Sequence, residues 1–357
     1  MNKSDGMNYA PEGKPKPVVA SGEFQFAAMG LDHGHIHGMS SGLVDAGGAL
    51  KWVFDPDPRK AEAFKEKFPS VRIASSEQEV LQDKDIRLVA GAAVPSTRGD
   101  MGLRVLEHGK HYMSDKAPFT AFDQLERARA ATSRTGLIWA VCYSERVHNE
   151  SAVFAGQLIK DGAIGKVLQV IGMGPHRLNA PSRPAWFFQK KYYGGILTDI
   201  GSHQIEQFLY YTGASDAEVV ASRIANYQHP DHPELEDFGD ATLTGNNGTT
   251  NYFRVDWFTP DGLGTWGDGR TVILGTKGYI ELRKYIDVAR DPSGDHVYMV
   301  NGEGEKHIPV HGNVGFPYFG ELILDCLNGT RNAMPQEHTF KAAELCMKAQ
   351  EAAVKVR

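Results

Sequence analysis

One short stretch of the sequence combines residue types that can move a proton. In GGILTDIGSHQIEQ, residues 194–207, Asp199 and His203 are four positions apart. Both therefore lie on one side of a helix that begins near Asp199. A histidine beside a carboxylate suits acid–base chemistry because its ordinary pKa lies close to neutral pH. The alternative is a helix start with Asp199 as the cap and His203 as a buried, hydrogen-bonded side chain, and the motif alone favours neither.

Lys116, in GKHYMSDKAPF at residues 109–119, is a third candidate. It follows an apolar strand, and ligands of parallel sheets bind beyond the carboxyl ends of the strands. A lysine at that edge can hydrogen-bond a substrate oxygen. The alternative is a solvated surface lysine, which is the commoner fate of any single lysine.

The stretch GLDHGHIHG, residues 30–38, is compatible with two kinds of site. Its histidines, His33, His35 and His37, could ligate zinc, but helical geometry aligns the first with the third and sends His35 elsewhere. Gly30 directly follows an apolar run, as the first glycine of a dinucleotide-binding turn does. The other two glycines of that G-x-G-x-x-G pattern are replaced, by Asp32 and His35. We predict a cofactor turn and no metal.

Asp55 supports the cofactor interpretation. It ends the second predicted strand, 25 residues after Gly30, where a carboxylate can accept the hydroxyls of an adenosine ribose. Because such a carboxylate repels a 2′-phosphate, it favours NAD over NADP, although Arg59 and Lys60 nearby weaken that preference. The alternative role for Asp55 is a helix cap before Pro56.

These residues lie on alternating strands and helices in the first part of the chain. Apolar strands at 24–30, 49–55, 86–95, 110–117 and 137–144 are separated by helical segments, which predicts a parallel sheet with helices on both faces. After about residue 146, consecutive strands with short turns predict an antiparallel or mixed sheet, and two helices end the chain.

The predicted fold class is α/β, and the predicted organisation has three parts. Residues 1–22 are a flexible leader, or alternatively an ordered arm on a neighbouring subunit. Residues 23–146 form a Rossmann dinucleotide-binding domain. Residues 147–357 form a substrate-binding and oligomerisation α/β domain, whose C-terminal helix can pack back on the first domain.

The composition excludes several classes of protein. With 41% hydrophobic and 23% charged residues, the chain matches a globular domain, and its net charge of −6 argues against nucleic-acid binding. No apolar run approaches the length of a membrane span. Cys142, Cys326 and Cys346 are far apart and form no disulfide framework, which predicts a reducing, cytoplasmic location.

Taken together, the motifs resemble those of the Gfo/Idh/MocA oxidoreductases, which include glucose–fructose oxidoreductase and inositol dehydrogenase. GKHYMSDKAP and YGGILTDIGSH are similar to two family motifs, in the same order and at similar spacing. VFDPDPRKAEAFKEKFP, IKDGAIGKV, ELEDFGDATL and ILGTKGYIEL also resemble family segments. The sequence departs from the family at Asp115, where glutamate is usual, and at Ala117, where proline is usual.

The resemblance implies a Rossmann domain followed by an α/β domain with an open, mostly antiparallel sheet, and an NAD(P)-dependent oxidoreductase acting on a sugar, inositol or related polyol. Lys116 would hydrogen-bond the reacting hydroxyl, His203 would take its proton, and Asp199 would orient His203. The cofactor, NAD or alternatively NADP, would contact Gly30, Leu31, Asp32, His33, His35, Asp55, Arg59, Pro95, Asp115 and Lys116. Family members pair through open sheets, which implies a homodimer or homotetramer.

Substrate contacts are expected in the loop GPHRLNAPSRPAWFFQ, residues 174–189, because it combines basic groups with an aromatic ring. The predicted substrate-binding residues are His176, Arg177, Arg183, Trp186 and His203. The same loop, and the glycine-rich loop at 256–270, could instead form subunit contacts. Two other functions stay open: glycoside cleavage or elimination through transient oxidation by bound NAD, and nucleotide binding without catalysis.

Overall fold

The structure, a computed structural model, describes residues 4–356 and divides into two compact units. The N-terminal unit comprises Met7–Cys142 and Phe316–Phe340. The C-terminal unit comprises residues 4–6, Tyr143–Gly315 and residues 341–356. The observed junction after Cys142 is close to the predicted one near residue 146. The segment 316–340, by contrast, belongs with the first unit.

The N-terminal unit alternates strands and helices as predicted. Its elements up to Cys142 are β1 Gln25–Met29, α1 His35–Asp45, β2 Ala49–Phe54, α2 Pro58–Lys67, β3 Arg72–Ile73, α3 Glu77–Gln82, β4 Ile86–Gly91, α4 Pro95–Glu107, β5 His111–Asp115, α5 Phe122–Thr135 and β6 Trp139–Cys142. The six strands form one sheet in the order β3-β2-β1-β4-β5-β6, and every neighbouring pair is parallel. This is the strand order of a Rossmann domain.

The centre of this sheet is apolar on both faces. Phe26, Ala27, Leu88 and Val89 on the neighbouring strands β1 and β4 are fully buried. Such continuous burial is expected of a parallel sheet covered by helices. The carboxyl ends of β1, β4 and β5 therefore form a rigid edge that carries Gly30, Pro95 and Lys116.

The C-terminal unit has a second, mixed sheet. Its elements are α6 Ser144–Val147, α7 Glu150–Lys160, β7 Val167–Pro175, α8 Lys190–Tyr193, α9 Ile196–Asp199, α10 Gly201–Thr212, β8 Ala217–Ala225, β9 Phe238–Gly245, β10 Thr250–Asp256, β11 Arg270–Gly275, β12 Gly278–Arg283, β13 His296–Asn301 and β14 Gly304–Pro309. The chain then continues with α11 Pro317–Asn328 in the N-terminal unit, α12 Gln336–Glu351, which begins in that unit and ends in the second, and β15 Val354–Lys355.

The second sheet has the order β14-β13-β12-β11-β7-β10-β9-β8-β15. Within the described residues, β7–β10 and β8–β15 are parallel and the other neighbouring pairs are antiparallel. Helix α10 packs on β7, β9 and β10 through buried side chains such as Phe208 and Phe253. The predicted α/β class, with a parallel and a mostly antiparallel sheet, is confirmed.

Seven elements were not predicted from the sequence: β3, α3, α6, α8, α9, β14 and β15, and the helices among them are short. β3 and β15 have two residues each, which is too short to show a periodicity. β14 is exposed along nearly all of its length, so its sequence lacks the apolar alternation of a half-buried strand. Helix α3 has only six residues and is defined mainly by its Ser76 cap.

The segment predicted as a flexible leader is bonded to the rest of the chain in the structure. In the N-terminal unit, the amides of Lys16 and Val18 donate to the carbonyls of Asp45 and Ala46 at the end of α1. In the C-terminal unit, Asp5 is buried. The structure therefore differs from a free leader at residues 4–18, for the part of the segment that is described.

Two composition-based expectations concern the described residues as well. No helix in the part of the chain from 4 to 356 is both long and apolar enough to span a membrane. The three cysteines are free, which confirms the expectation that they form no disulfide.

Candidate active site and cofactor turn

Gly30 forms the corner between β1 and the segment that leads into α1. Its φ is +64°, in the left-handed region that favours glycine. A Cβ at this position would lie 2.7 Å from Met101 Cε and 2.8 Å from Ala93 Cβ. The corner therefore requires glycine for its backbone conformation and for its close packing, as predicted for the first residue of a cofactor turn.

Asp32, which replaces the second glycine of the turn, is paired. Its Oδ1 lies 2.5 Å from Lys60 Nζ on α2, and its Oδ2 accepts a hydrogen bond of 3.1 Å from the Val94 amide. The carboxylate thus joins the turn to α2 and to the end of β4. Because Lys60 compensates its charge, Asp32 is compatible with an anionic ligand nearby.

Asp55 is also bonded within the turn. Its Oδ2 accepts a 2.6 Å hydrogen bond from the Leu31 amide, and its Oδ1 accepts a bond from the Asp57 amide. The alternative role of Asp55 as a helix cap is wrong, because the side chain of Asp57 caps α2. Arg59 is mostly exposed and pairs with Asp57 at 2.7 Å, so its guanidinium supports this cap.

His33 and His35 lie on either side of a buried carboxylate. His35 Nδ1 is 2.9 Å from Asp115 Oδ1, His33 Nδ1 is 3.5 Å from Asp115 Oδ2, and the two rings are 4.2 Å apart. Arg98, which is completely buried, pairs with Asp115 at 3.0 Å. This cluster joins the turn to the ends of β4 and β5, and the sequence reasoning did not include Arg98.

The charges of this cluster follow from its burial. Burial lowers the pKa of His33 well below its ordinary value, and His35 lowers it further. Burial by itself would raise the pKa of Asp115, but His35 and Arg98 outweigh that effect and hold the pKa well below its usual range. Asp115 is therefore a buried anion, and His33 is neutral near pH 7.

The backbone amides of His33 and His35, two of the predicted cofactor contacts, are both hydrogen-bonded within the protein. The His33 amide donates to the Ala92 carbonyl at 2.9 Å, and the His35 amide donates to His33 Nδ1 at 3.3 Å. Both amides are thus used inside the turn. Gly34 is the N-cap residue of α1 and has no side chain that could cap the helix. The N-cap residue therefore offers no carboxylate or hydroxyl that would compete with an anionic ligand at this helix start.

The three histidines do not form the zinc site that was considered from the sequence. His37 stacks on Phe64, with ring centroids 5.2 Å apart. His33, His35 and Asp115 do have ligand atoms within 4.8 Å of one another. The Arg98 guanidinium already pairs with this carboxylate, however, and a buried cation beside it disfavours a metal ion.

A second group of potential ligands, Glu150, Asp295 and His311, has a structural use. The Glu150 carboxylate accepts hydrogen bonds from the amides of Gly312, Val314 and Gly315. These bonds hold the loop after β14 and occupy the oxygen atoms that would bind a metal.

Lys116 lies at the end of β5 and is buried. Arg98 holds the backbone here: its Nη1 donates to the carbonyls of Lys116 and Ala117, and its Nε donates to the Ala93 carbonyl at 2.7 Å. The Lys116–Ala117 peptide bond is cis. Pro95 is the first residue of α4 and is buried at the same edge of the sheet. The sequence alternative of a solvated surface lysine is wrong.

Asp199 and His203 lie on two short helices that follow one another almost without a break. Ile200, between α9 and α10, has helical backbone angles, so the four-residue spacing is kept. Both side chains are buried. Asp199 ends α9 and does not cap α10, so the alternative role of Asp199 as a helix cap is wrong.

The start of α9 is fixed by side chains from other elements. Gly195 has a φ of +100°, and the Ile196 amide that follows it donates to Glu236 Oε2 at 2.8 Å. The Leu197 amide donates to Gln350 Oε1 on α12 at 2.9 Å. Two polar side chains distant in sequence thus take the place of a local cap and set the position of Asp199.

A buried polar group that the sequence did not indicate is hydrogen-bonded to α10, the helix that carries His203. Glu145 Oε2 accepts hydrogen bonds of 3.0 Å from Lys284 Nζ and from Gln204 Nε2. Lys284 also donates to Gln207 Oε1, whose amide nitrogen donates to the His203 carbonyl. Neither Glu145 nor Lys284 belongs to a recognisable motif, so no signal in the sequence marked them.

The predicted substrate residues lie in one loop of the C-terminal unit, but their polar groups are largely engaged. Arg183 donates to the carbonyls of Leu178 and Arg177. Arg177 donates to three further carbonyls, those of Ser4, Pro260 and Leu263. These guanidinium groups therefore shape the loop.

Aromatic rings and the first described residues complete this loop. The His176 ring lies 4.5 Å from that of Trp266, and a Cβ on Gly6 would be 2.8 Å from His176. Asp5 accepts hydrogen bonds from Asn179 and Ser182. Trp186 is half-buried beside Phe187. Residues 4–6, predicted as part of a leader, thus belong to the loop that was predicted to bind substrate.

Two models of one protein family match this chain. Residues 27–143 match the family model described as "Oxidoreductase family, NAD-binding Rossmann fold", and residues 153–281 match the "GFO/IDH/MocA C-terminal domain". The crystal structure of a protein assigned to the oxidoreductases from Erwinia carotovora atroseptica SCRI1043 is 50% identical, with a TM-score of 0.91, over 94% of this chain and 100% of that one.

Two curated relatives are more distant. Levoglucosan dehydrogenase from Pseudarthrobacter phenanthrenivorans is 25% identical over 211 residues, which are 58% of this chain and 53% of that protein. The scyllo-inositol 2-dehydrogenase (NADP(+)) of Bacillus subtilis is 23% identical over 167 residues, 46% of each chain. The matched part thus spans about half the length of these relatives. With both of its domain models matched, in the predicted order, the chain belongs to the GFO/IDH/MocA oxidoreductase family and has its NAD-binding Rossmann domain.

Proposed function

We propose that the protein is an NAD(P)-dependent oxidoreductase that transfers a hydride between a nicotinamide cofactor and a hydroxyl-bearing carbon of a sugar, inositol or related polyol. The observation that carries this proposal is the buried pair Asp199 and His203 on adjoining helices, in a chain whose other unit is an NAD-binding Rossmann domain. Alcohol oxidation must lose a proton as well as a hydride, and only the proton needs a side chain.

Each residue has a separate role in this proposal. His203 accepts the hydroxyl proton as the O–H bond breaks, and Asp199 orients the imidazole. Lys116 donates a hydrogen bond to the hydroxyl oxygen, and Arg98 fixes the backbone that carries it. Bound NAD supplies the acceptor for the hydride that leaves the same carbon. In the reverse direction, His203 returns the proton.

The Gly30–His35 turn would hold the cofactor together with Asp55 and Pro95. The fit rests on the Rossmann strand order, on the crowded glycine corner and on the pairing of Asp32 with Lys60. We propose a preference for NAD, because Asp32 and Asp55 place two carboxylates at this edge where a 2′-phosphate would need cations.

A neutral polyol is the favoured substrate class. The Arg177 and Arg183 guanidinium groups donate to backbone carbonyls, which disfavours a role for either in binding a substrate carboxylate. Asp5 and the aromatic rings of the same loop are suited to hydroxyls and to the apolar face of a sugar ring.

The test is a screen of NAD- and NADP-linked activity across neutral sugars, inositols and sugar acids, together with a fluorescence titration with NADH and NADPH. We expect NADH binding and turnover of a neutral polyol. His203→Gln should lower turnover by about 10²- to 10⁴-fold while NADH binding is kept. Failure of both dinucleotides to bind at millimolar concentration would contradict the proposal, and turnover without net NADH formation would indicate transient oxidation instead.

We further propose that the protein forms a homo-oligomer in a reducing compartment such as the cytoplasm. The outer face of the second sheet carries the partly exposed side chains of Tyr252, Leu274 and Tyr279, and the register places Leu274 opposite Tyr279. A second copy of this chain, with the same sheet, is the proposed occupant of that face. The free cysteines support the compartment.

A further inference from the structure

A buried ion pair lies in the C-terminal unit, next to the helix that carries His203. Glu145 on α6 is 2% exposed, and Lys284, which follows β12, is 1% exposed. Glu145 Oε2 and Lys284 Nζ are 3.0 Å apart. Buried pairs of this kind cost desolvation free energy and are weak as stabilising devices. A contribution to the stability of the fold therefore does not explain why this ion pair lies beside α10.

The pair is joined to α10 at two points. Gln204, the residue after His203, donates to Glu145 Oε2. Gln207 accepts from Lys284 at 2.7 Å and donates to the His203 carbonyl at 2.8 Å. Space for Gln204 depends on Gly172, because a Cβ there would lie 2.1 Å from Gln204 Oε1. The pair thus holds the turn of α10 on which the imidazole is mounted.

The second oxygen of Glu145 is the unusual part of this arrangement. Glu145 Oε1 is buried and has no hydrogen-bond partner among residues 4–356. Burial by itself would raise the pKa of Glu145, but Lys284, His203 and His176 outweigh that effect and lower the pKa to about 2. The carboxylate is therefore charged near pH 7, and its field acts on His203.

Other charged groups also face α10. Asp199 precedes it on α9, and His176 follows β7, against which α10 packs. Arg146 and Glu206 form their own buried ion pair, so their charges largely cancel. Glu145 is bonded to Gln204, the neighbour of His203, whereas Lys284 is bonded to Gln207, one turn further along α10, so we expect the carboxylate to have the larger effect on the imidazole.

We propose that Glu145 is a positioning residue for the reaction: held in place by Lys284, it stabilises the imidazolium that forms when His203 receives the proton of the substrate hydroxyl. This inference rests on the proposed function of His203. The O–H bond of the substrate breaks, its proton binds an imidazole nitrogen, and the positive charge that results is compensated by the Glu145 carboxylate.

The test is an NMR titration of the His203 imidazole in the whole protein, assigned with His203→Gln, combined with the pH profile of kcat/KM. Glu145→Gln removes the anion and should lower the pKa of His203 by about one unit. The rising limb of oxidation then moves to lower pH, because neutral His203 is the base. Lys284→Met removes the cation. It should therefore raise the pKa of His203 and move the rising limb of oxidation to higher pH.

Controls separate charge from structure. Asp240→Asn breaks another ion pair of the same unit, between Asp240 and Arg223 on β9 and β8, and should leave the pKa of His203 unchanged. If either single variant fails to fold, the double variant Glu145→Gln/Lys284→Met has no lone buried charge. The two shifts oppose each other, and the proposal gives Glu145 the larger effect, so the His203 pKa of the double variant should still lie below the wild-type value, by less than about one unit.

The outcomes are distinguishable. Shifts of the two single variants in the same direction, or an unchanged His203 pKa in Glu145→Gln or in the double variant, would overturn the inference. An altered His203 pKa in a protein that turns over no polyol would support the charge coupling while the proposed function fails.

Discussion

Asp32 illustrates how a residue that looks incompatible with an anion-binding site can have its charge compensated in the structure. A carboxylate at the second glycine position should repel a pyrophosphate. In the structure Lys60 pairs with it at 2.5 Å, and the Val94 amide fixes its other oxygen. Lys60 lies 28 positions after Asp32 in the sequence, so their ion pair depends on the packing of α2 against the turn.

The pairing predicts a specific effect on cofactor affinity. Lys60→Ala should weaken NADH binding by about 3- to 10-fold, because Asp32 would then be uncompensated beside the phosphates. Lys67→Ala is the matched control, since Lys67 is an exposed lysine at the other end of the same helix. A fluorescence titration measures both, and equal Kd values for the two variants would contradict this role of Lys60.

At the scale of elements, each unit holds its own candidate residues on corners and loops that several segments fix. Gly30 is fixed between the ends of β1 and β4, and the loop of residues 177–183 is bonded to residues 4–6. The strands supply a rigid edge, and the segments after them carry the chemistry.

Alanine substitutions at two glycines of the N-terminal unit distinguish the cost of backbone strain from the cost of close packing. Gly30 and Gly109 both have positive φ, but only Gly30 is crowded, because nothing lies within 4 Å of a Cβ on Gly109. Gly109→Ala should lower the free energy of unfolding by about 1 kcal/mol. Gly30→Ala should lower it by about 3 kcal/mol and weaken NADH binding as well. Urea unfolding measures the difference, and equal costs would exclude the packing argument.

Asp5 should control the order of the predicted substrate loop. Asp5→Ala removes the acceptor of Asn179 and Ser182, so we expect amide exchange in residues 177–183 to become about tenfold faster. Glu12→Ala, which changes an exposed carboxylate of the same segment, is the control. Hydrogen exchange followed by mass spectrometry checks this, and unchanged protection of the loop in Asp5→Ala would show that residues 4–6 do not order it.

At the scale of the whole molecule, stability should depend on pH through the half-buried His111. Burial, together with the positive charge of Arg331, lowers the pKa of His111 from its ordinary value to about 4. The unfolded chain therefore binds a proton between about pH 6.5 and 4 that the folded chain does not. Stability from this group is complete above the unfolded pKa and is lost as the pH falls toward 4.

This linkage gives a measurable slope. Between pH 7 and pH 4 the free energy of unfolding should fall by about 2 kcal/mol through His111, after allowance for solvent screening. His111→Asn keeps an acceptor for the Ile138 amide but has no group that titrates in this range. Between pH 7 and pH 4, the free energy of unfolding of this variant should therefore fall by about 2 kcal/mol less than that of the wild type. Urea unfolding at several pH values checks it, and parallel curves for the two proteins would contradict the assignment.

Self-association should depend on the outer face of the second sheet. Leu274→Asp places a charge in the partly exposed apolar patch and should convert the oligomer to a smaller species. Val354→Asp changes a more exposed valine on the edge strand β15 and is expected to leave the assembly intact. Light scattering coupled to gel filtration measures the mass, and a wild-type monomer would contradict the proposed oligomer.

The sequence by itself determined the family, the two-sheet architecture and the order of the longer elements. Apolar runs, helical spacing and the motifs GKHYMSDKAP and YGGILTDIGSH are local features of the sequence, so they can be recognised without the tertiary structure. Only the tertiary structure decided which charges meet: Asp32 with Lys60, Arg98 with Asp115, and Glu145 with Lys284. The physical reason is that a buried charge is satisfied by partners distant in sequence, and spacing along the chain carries no record of them.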